Sequence, residues 1–199
     1  MSVIPSLPSH DLAPRRIILI GFMGAGKSTT GRLLARALGW RFADSDELIQ
    51  KQAGRTIAEI FSTDGEPAFR ALESSVICEH SHGEKLVLAL GGGAIEHPAT
   101  REHLHAMPNT RVVYLEAPLE LMIQRCLEEP GGATRPILAD RTHLADRFQS
   151  RLPHYRSAHL TVPTAHLTPE QVVDQILAAL EEKAPELEAP TARENAPTR

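Results

Sequence analysis

The segment Gly21-Phe-Met-Gly-Ala-Gly-Lys-Ser28 constrains this chain more than any other. It matches G-x-x-x-x-G-K-[ST]. The five residues before it, Arg16-Ile-Ile-Leu-Ile20, are an apolar, β-branched run of the kind that makes a buried strand. The residues after it place Leu33, Leu34, Ala37 and Leu38 at helical spacing, and Gly39 supplies a stop signal. A strand that turns through glycines straight into a helix aims several backbone N–H groups at one anion. The positive end of the helix adds to the attraction. Gly24, Ala25, Gly26, Lys27, Ser28 and Thr29 are therefore expected to hold the phosphates of ATP. Lys27 reaches the β and γ phosphates, and the Ser28 hydroxyl is a ligand for Mg2+. Chance places this pattern in a chain of such length less than about 1% of the time.

A loop of this kind sits on a parallel sheet, and the rest of the chain supplies one. Strand-like runs recur at 40–44, 85–93, 111–116 and 159–163. Helical patterns fall between them. One begins at Asp44 or Ser45. Another covers 56–80, interrupted around Thr63-Asp-Gly-Glu-Pro67, with Phe69, Leu72, Val76 and Ile77 on one face. Others cover 119–129 and 142–156. The last, 168–182, has Thr168 as its N-cap, Pro169 at its first position and Gln171 three residues after the cap. Five strands alternating with helices predict an α/β fold, a five-stranded parallel sheet flanked by helices, with ligands at the carboxyl ends of the strands.

The chain's 199 residues, 42% of them hydrophobic, suit one such domain over 15–182. Residues 1–14 read as a flexible N-terminal extension. Residues 183–199, rich in Ala, Pro and Glu, read as a disordered tail. The net charge of −4 comes without a basic stripe, which argues against a nucleic-acid partner. No run approaches the roughly 20 apolar residues of a membrane span. Cys78 and Cys126 lack C-x-x-C spacing and are expected as small core residues in a reducing, cytoplasmic setting. The ten histidines show no paired metal spacing and are expected at the surface.

Further motifs fall at the expected strand ends. Asp44 and Asp46 stand two apart. They suit a helix cap, with Asp44 as N-cap and Glu47 as its reciprocal partner. They equally suit a phosphoryl-transfer site, one carboxylate for Mg2+ and one facing an acceptor hydroxyl. Arg70, with Glu66 four residues before it and Glu73 three after, is either part of a solvated salt-bridge face or a planar fork for a carboxylate. Gly91, Gly92 and Gly93 end an apolar strand, where something approaches the backbone closely. Arg135 lies in a breaker-rich stretch with the composition of a lid. Arg151 by itself reads as a surface arginine near a helix end.

Together the P-loop, Asp-Ser-Asp46, Gly54-Arg-Thr-Ile-Ala-Glu-Ile-Phe61, Asp64-Gly-Glu-Pro-Ala-Phe-Arg-Ala-Leu-Glu73, Leu88-Ala-Leu-Gly-Gly-Gly93, Val112-Val-Tyr-Leu-Glu116, Arg135-Pro-Ile-Leu138 and Ser150-Arg-Leu-Pro-His-Tyr155 resemble the shikimate kinase family in order and separation, over about residues 15–181. The resemblance implies the nucleoside-monophosphate-kinase type of P-loop fold, with a substrate-binding segment at about 45–80 and a lid at about 129–141. It implies transfer of the ATP γ-phosphate to the 3-hydroxyl of shikimate, with Mg2+, by a cytoplasmic monomer. By position, Lys27, Asp46 and Arg135 become the catalytic residues. Asp46, Arg70, Gly92 and Arg151 bind shikimate, Ser28 and Asp44 serve the metal, and Arg125 lies near the adenine. The stretch leading into the lid is a few residues longer than the family pattern. Two rivals are a gluconate-kinase-like enzyme on the same fold and a non-catalytic nucleotide-sensing module.

Overall fold

β1 (Arg16–Ile20) lies at the centre of a sheet in which every strand runs the same way. Its neighbours are β3 (Leu86–Ala89) and β4 (Thr110–Glu116), and Ile18 pairs with Leu88 on one side and Val112 on the other. β2 (Arg41–Asp44) flanks β3, and β5 (Leu160–Pro163) flanks β4, so the order is β2-β3-β1-β4-β5. The computed structural model describes residues 14–128 and 141–182. Ile17, Ile18 and Leu19 are fully buried, as continuous apolar runs must be when helices cover both faces of a parallel sheet.

The helices are α1 (Lys27–Leu38), α2 (Ser45–Ala53), α3 (Ile57–His80), α4 (Pro98–Ala106), α5 (Leu119–Glu128), α6 (Arg141–Arg156) and α7 (Pro169–Glu182). The connections move to opposite sides of β1: β2 and β3 lie to one side, β4 and β5 to the other. The glycine loop therefore opens at the switch point of the sheet, where open α/β folds bind their ligands.

Local chemistry sets several boundaries. Gly39 caps α1 in the left-handed region. Thr56 caps α3 in a reciprocal capping box with Glu59. Thr168 and Gln171 bond reciprocally at the start of α7. The interruption expected within 56–80 is a break at Gly65, with φ 80°, just before Pro67. Beyond it, Phe69 and Val76 close over Ile49 and Ile60 in a small apolar cluster separate from the main core. This cluster seats α2 on α3.

Three expectations need correction, and one helix had no expectation attached to it. Cys78 is exposed rather than a core residue, because it sits on the outer side of α3 near its end; Cys126 is buried as expected. Asp44 caps α2, accepting from the Asp46 amide at 3.0 Å, but Glu47 does not reciprocate. It turns outward to Arg32 at 2.6 Å. The histidines are not uniformly superficial: His103 is half-buried and hydrogen-bonded. Finally, α4 and the 3-10 turn before it (Ala94–Glu96) carry no strong sequence pattern, since α4 buries only Thr100 and Leu104. The expected lid and Arg135 lie outside the described residues, except that its last residue, Arg141, opens α6. The tail over 183–199 lies outside them too.

If the capping box sets where α3 begins, Thr56→Ala should lower the unfolding free energy by about 1 kcal/mol. Urea unfolding of the two proteins measures this, and an unchanged midpoint would leave the start of α3 to packing alone.

Candidate active site

At the carboxyl end of β1 the chain turns through Gly24 and Gly26, both with left-handed φ (71° and 90°). A Cβ on Gly24 would stand 2.2 Å from the Met122 carbonyl of α5, so only glycine lets the loop pass there. Gly24, Ala25, Gly26, Lys27, Ser28 and Thr29 line a cavity of about 340 Å³, with Arg125 and Thr164 on the facing wall. Arg125 is held by Thr164, donating to its hydroxyl at 3.1 Å and its carbonyl at 2.8 Å. Lys27 donates to the Phe22 carbonyl at 2.9 Å. Desolvation pushes its pKa down, against the opposing pull of Asp46 and Asp44.

The end of β2 brings two carboxylates to the mouth of this loop. Ser28 Oγ donates to Asp44 Oδ2 at 2.6 Å. This hydroxyl and carboxylate together are hard oxygen donors that fit Mg2+. Asp46, in the first turn of α2, faces a second cavity of about 370 Å³. Burial raises its pKa, and the negative charge of Asp44 raises it further, with Lys27 and Arg70 acting against them.

That second cavity gathers most of the remaining expected residues. Arg70, Gly92 and Arg151 line it with Asp46. Arg70 is not on a solvated face: its side chain is 16% exposed and donates to Glu73 at 2.7 Å and Glu66 at 3.1 Å. Arg151 is equally far from a surface arginine. It is 5% exposed, pairs with Glu96 at 2.9 Å and lies over the Phe22 ring. Among the described residues its buried Nε has no hydrogen-bond partner. The exposed Arg32–Glu47 pair is worth about 0–1 kcal/mol at most. Arg70 and Arg151 differ, because charges withdrawn from water must be matched.

Two of the three glycines, Gly91 and Gly93, now have a cause. A Cβ on Gly91 would fall 2.6 Å from Asp46 Oδ1 and 2.9 Å from Glu73 Oε1, and one on Gly93 would fall 2.4 Å from Arg70 Nη2. Charged groups occupy the space that side chains would fill. The segment is also pinned from outside. Gly91 N–H donates to Ser45 Oγ at 2.8 Å, and Tyr155 donates its hydroxyl to the Gly92 carbonyl at 2.5 Å.

Several residues here went unnoticed in the sequence. Glu73 was visible only as a helical neighbour of Arg70, yet it is buried and its pKa is raised to about 7. Burial is the main cause and outweighs the opposing effect of Arg70. Tyr155 was within reach, because it stands four residues after Arg151 on α6. Glu96 and Arg147 carried no signal. Arg147 lines the cavity from α6, one turn before Arg151, and is exposed. Arg135 lies outside the described residues.

Folded Glu73 keeps its proton up to about pH 7, whereas an unfolded chain releases it near 4.5. Between those values the native state binds more protons, so stability is fully present below the lower one and falls as pH rises to the upper one. Asp46 acts in the same sense. Glu73→Gln should flatten this part of the stability–pH profile, read by urea unfolding across the window. A slope equal to wild type would assign the effect to another group.

With this geometry in place, the likeness to known proteins is specific. The family model for shikimate kinase matches residues 23–181. The shikimate kinase of Persephonella marina is 39% identical over 168 residues, covering 83% of this chain and 99% of that protein. The structure of the Acinetobacter baumannii shikimate kinase in complex with shikimate aligns with a TM-score of 0.78 at 40% identity, covering 87% of this chain and 96% of that one. A gluconokinase from Sinorhizobium meliloti aligns with a TM-score of 0.53 at 18% identity, a likeness of fold alone. A P-loop beside a cavity walled by buried arginines, on a chain that matches over most of its length, places this protein in the shikimate kinase family.

Proposed function

We propose that this protein transfers the γ-phosphoryl group of ATP to the 3-hydroxyl of shikimate, giving shikimate 3-phosphate and ADP on the route to chorismate and the aromatic amino acids. The observation that carries this reading is the meeting of Asp46, Arg70 and Arg151 in one cavity beside Lys27 and its loop. Shikimate is a small carboxylate with three hydroxyls. Two guanidinium groups suit its carboxylate end, and an aspartate suits its hydroxyl end.

In this reading Gly24–Thr29 cradle the phosphates, and Arg125, held by Thr164, flanks the adenine. Ser28 and Asp44 hold Mg2+, which when bound with ATP neutralises charge on the β and γ oxygens. Arg70 and Arg151 take the carboxylate of shikimate, and the Gly92 backbone closes the cavity behind it. Asp46 accepts a hydrogen bond from the 3-hydroxyl and takes its proton as the oxygen–phosphorus bond forms. Its raised pKa brings it nearer to neutrality, where a general base works best. The bond from phosphorus to the bridging oxygen breaks, and ADP carries the electron pair away. Lys27 and Arg135 balance charge on the transferring group, with Arg135 descending on the lid at about 129–141 to exclude water. Cys78 and Cys126 are not joined in a disulfide, which suits a reducing compartment, and the enzyme is read as a cytoplasmic monomer.

ADP release measured across shikimate, gluconate and nucleoside monophosphates tests the assignment. Turnover with shikimate alone is expected, and failure to turn it over would sink the reading. Lys27→Ala should reduce kcat by about 100-fold or more with circular dichroism unchanged. Loss of secondary structure instead would make the loop structural. Arg70→Lys should raise the KM for shikimate by about tenfold and leave that for ATP nearly unchanged, because a point charge replaces a bidentate fork. Arg147→Ala should raise the shikimate KM by no more than about fivefold, as expected of an exposed charge. An effect as large as that at Arg70 would promote Arg147 to a direct ligand.

A further inference from the structure

The amino end of the sheet, opposite the phosphate loop, carries a second convergence of reactive side chains. Cys78 lies in the last turn of α3, His82 in the turn leading to β3, and His103 near the end of α4. Their ligand atoms, one thiol sulfur and two imidazole nitrogens, all lie within 4.8 Å of one another. Cys78 Sγ is 3.7 Å from His103 Nδ1. A tetrahedral centre with Zn–S and Zn–N bonds of about 2.3 and 2.0 Å separates those two atoms by about 3.6 Å.

The orientation of His103 is set by a third residue. Its Nε2 is 2.7 Å from Ser81 Oγ. The single hydroxyl hydrogen of Ser81 goes to the Cys78 carbonyl at 3.1 Å. In the tautomer in which Nε2–H donates to Ser81, Nδ1 presents its lone pair to the thiol. A ligating imidazole whose other nitrogen is fixed by a hydrogen bond is the usual arrangement around bound metal ions.

We infer that Cys78, His82 and His103 form a binding site for a divalent transition-metal ion, Zn2+ foremost, that ties the end of α3 to α4. Sulfur and imidazole donors select such an ion over Mg2+, which needs oxygen. Three protein ligands leave the fourth position to water. A thiol–imidazole hydrogen bond joins Cys78 to His103, and His82 meets the His103 ring edge-on with centroids 5.6 Å apart, which keeps its own ring nitrogen within reach of the same point. On binding, the Cys78 thiol gives up its proton to solvent and its sulfur bonds the metal. The site lies far from Ser28 and Asp44 in the fold. Its effect is on stability: an ion that binds only the native state raises the midpoint of unfolding by mass action.

The test uses the full chain stripped of metal and titrated with Zn2+ alone by calorimetry, and with Co2+ by absorption. One ion per chain, an ultraviolet sulfur-to-cobalt charge-transfer band and a thermal midpoint that rises with Zn2+ are expected. Cys78→Ser should abolish that band. Cys78→Ser and His103→Gln should each weaken Zn2+ binding at least about tenfold, and Ser81→Ala about tenfold, through the loosened imidazole. Kinase activity should persist in all three. Absence of Zn2+ binding, absence of the thiolate band, or affinity unchanged by Cys78→Ser would overturn the site, since any bound ion would then sit on other histidines or on the Ser28–Asp44 pair. Should His103→Gln fail to fold, the exposed Cys78 still decides the question.

Discussion

The acceptor half of this molecule depends on one buried contact, between Glu73 and Arg70. Glu73 has a side chain only 2% exposed, and burial holds its carboxyl pKa up at about 7 even beside a guanidinium. Arg70 is the cation it faces. Its guanidinium lies where a Cβ of Gly93 would be, so the turn after β3 has to be backbone alone. The same turn gives way to Asp46 at Gly91. Gly91 and Gly93, two carboxylates and an arginine thus share a space that a side chain on either glycine would enter. Holding the arginine rigid also serves recognition, because a fixed fork loses little entropy when it meets a substrate carboxylate.

The rest of the cavity is braced from the far side of the sheet. α6 delivers Arg151 to the site and, one turn later, Tyr155 to the Gly92 carbonyl. Tyr155 stacks on Tyr114 of β4, so this anchor is fixed to the core and not to a loop. Arg151 is shared between Glu96 and the Phe22 ring. Phe22 belongs to the phosphate loop, and its carbonyl also receives Lys27. Donor and acceptor halves are therefore in contact through one residue of the loop. This contact gives a physical route by which filling one cavity biases the other, through the small polar network between them.

Much of this was legible beforehand because it depends on local chemistry. A β-branched run followed by G-x-x-x-x-G-K-S can do little but turn from strand to helix, and it does so at Lys27. The caps at Thr168 and Asp44 and the break at Gly65 follow from side chains within three residues. Asp46 and Arg70 each admitted a plainer reading, a helix cap or a solvated salt bridge, and Arg151 could be named only through a resemblance. Their burial was invisible, because periodicity reports a helix face and not what another element lays over it. α4 escaped notice for the complementary reason: a helix that buries two residues leaves almost no periodic trace. Cys78 was misplaced because average cysteine burial says nothing about a position on the outer side of a long helix.

The sequence by itself determined the order of elements, the phosphate loop and the residue types needed for a phosphoryl acceptor, since those rest on backbone conformation and on side-chain chemistry at short range. Tertiary structure alone decided which of the charged residues meet. Glu96 finds Arg151, Glu73 becomes a buried partner, and Cys78, His82 and His103 converge at the opposite end. Pairings between distant positions are set by sheet order and helix packing. Only desolvation in the packed state turns an ordinary arginine or carboxylate into one whose charge must be answered.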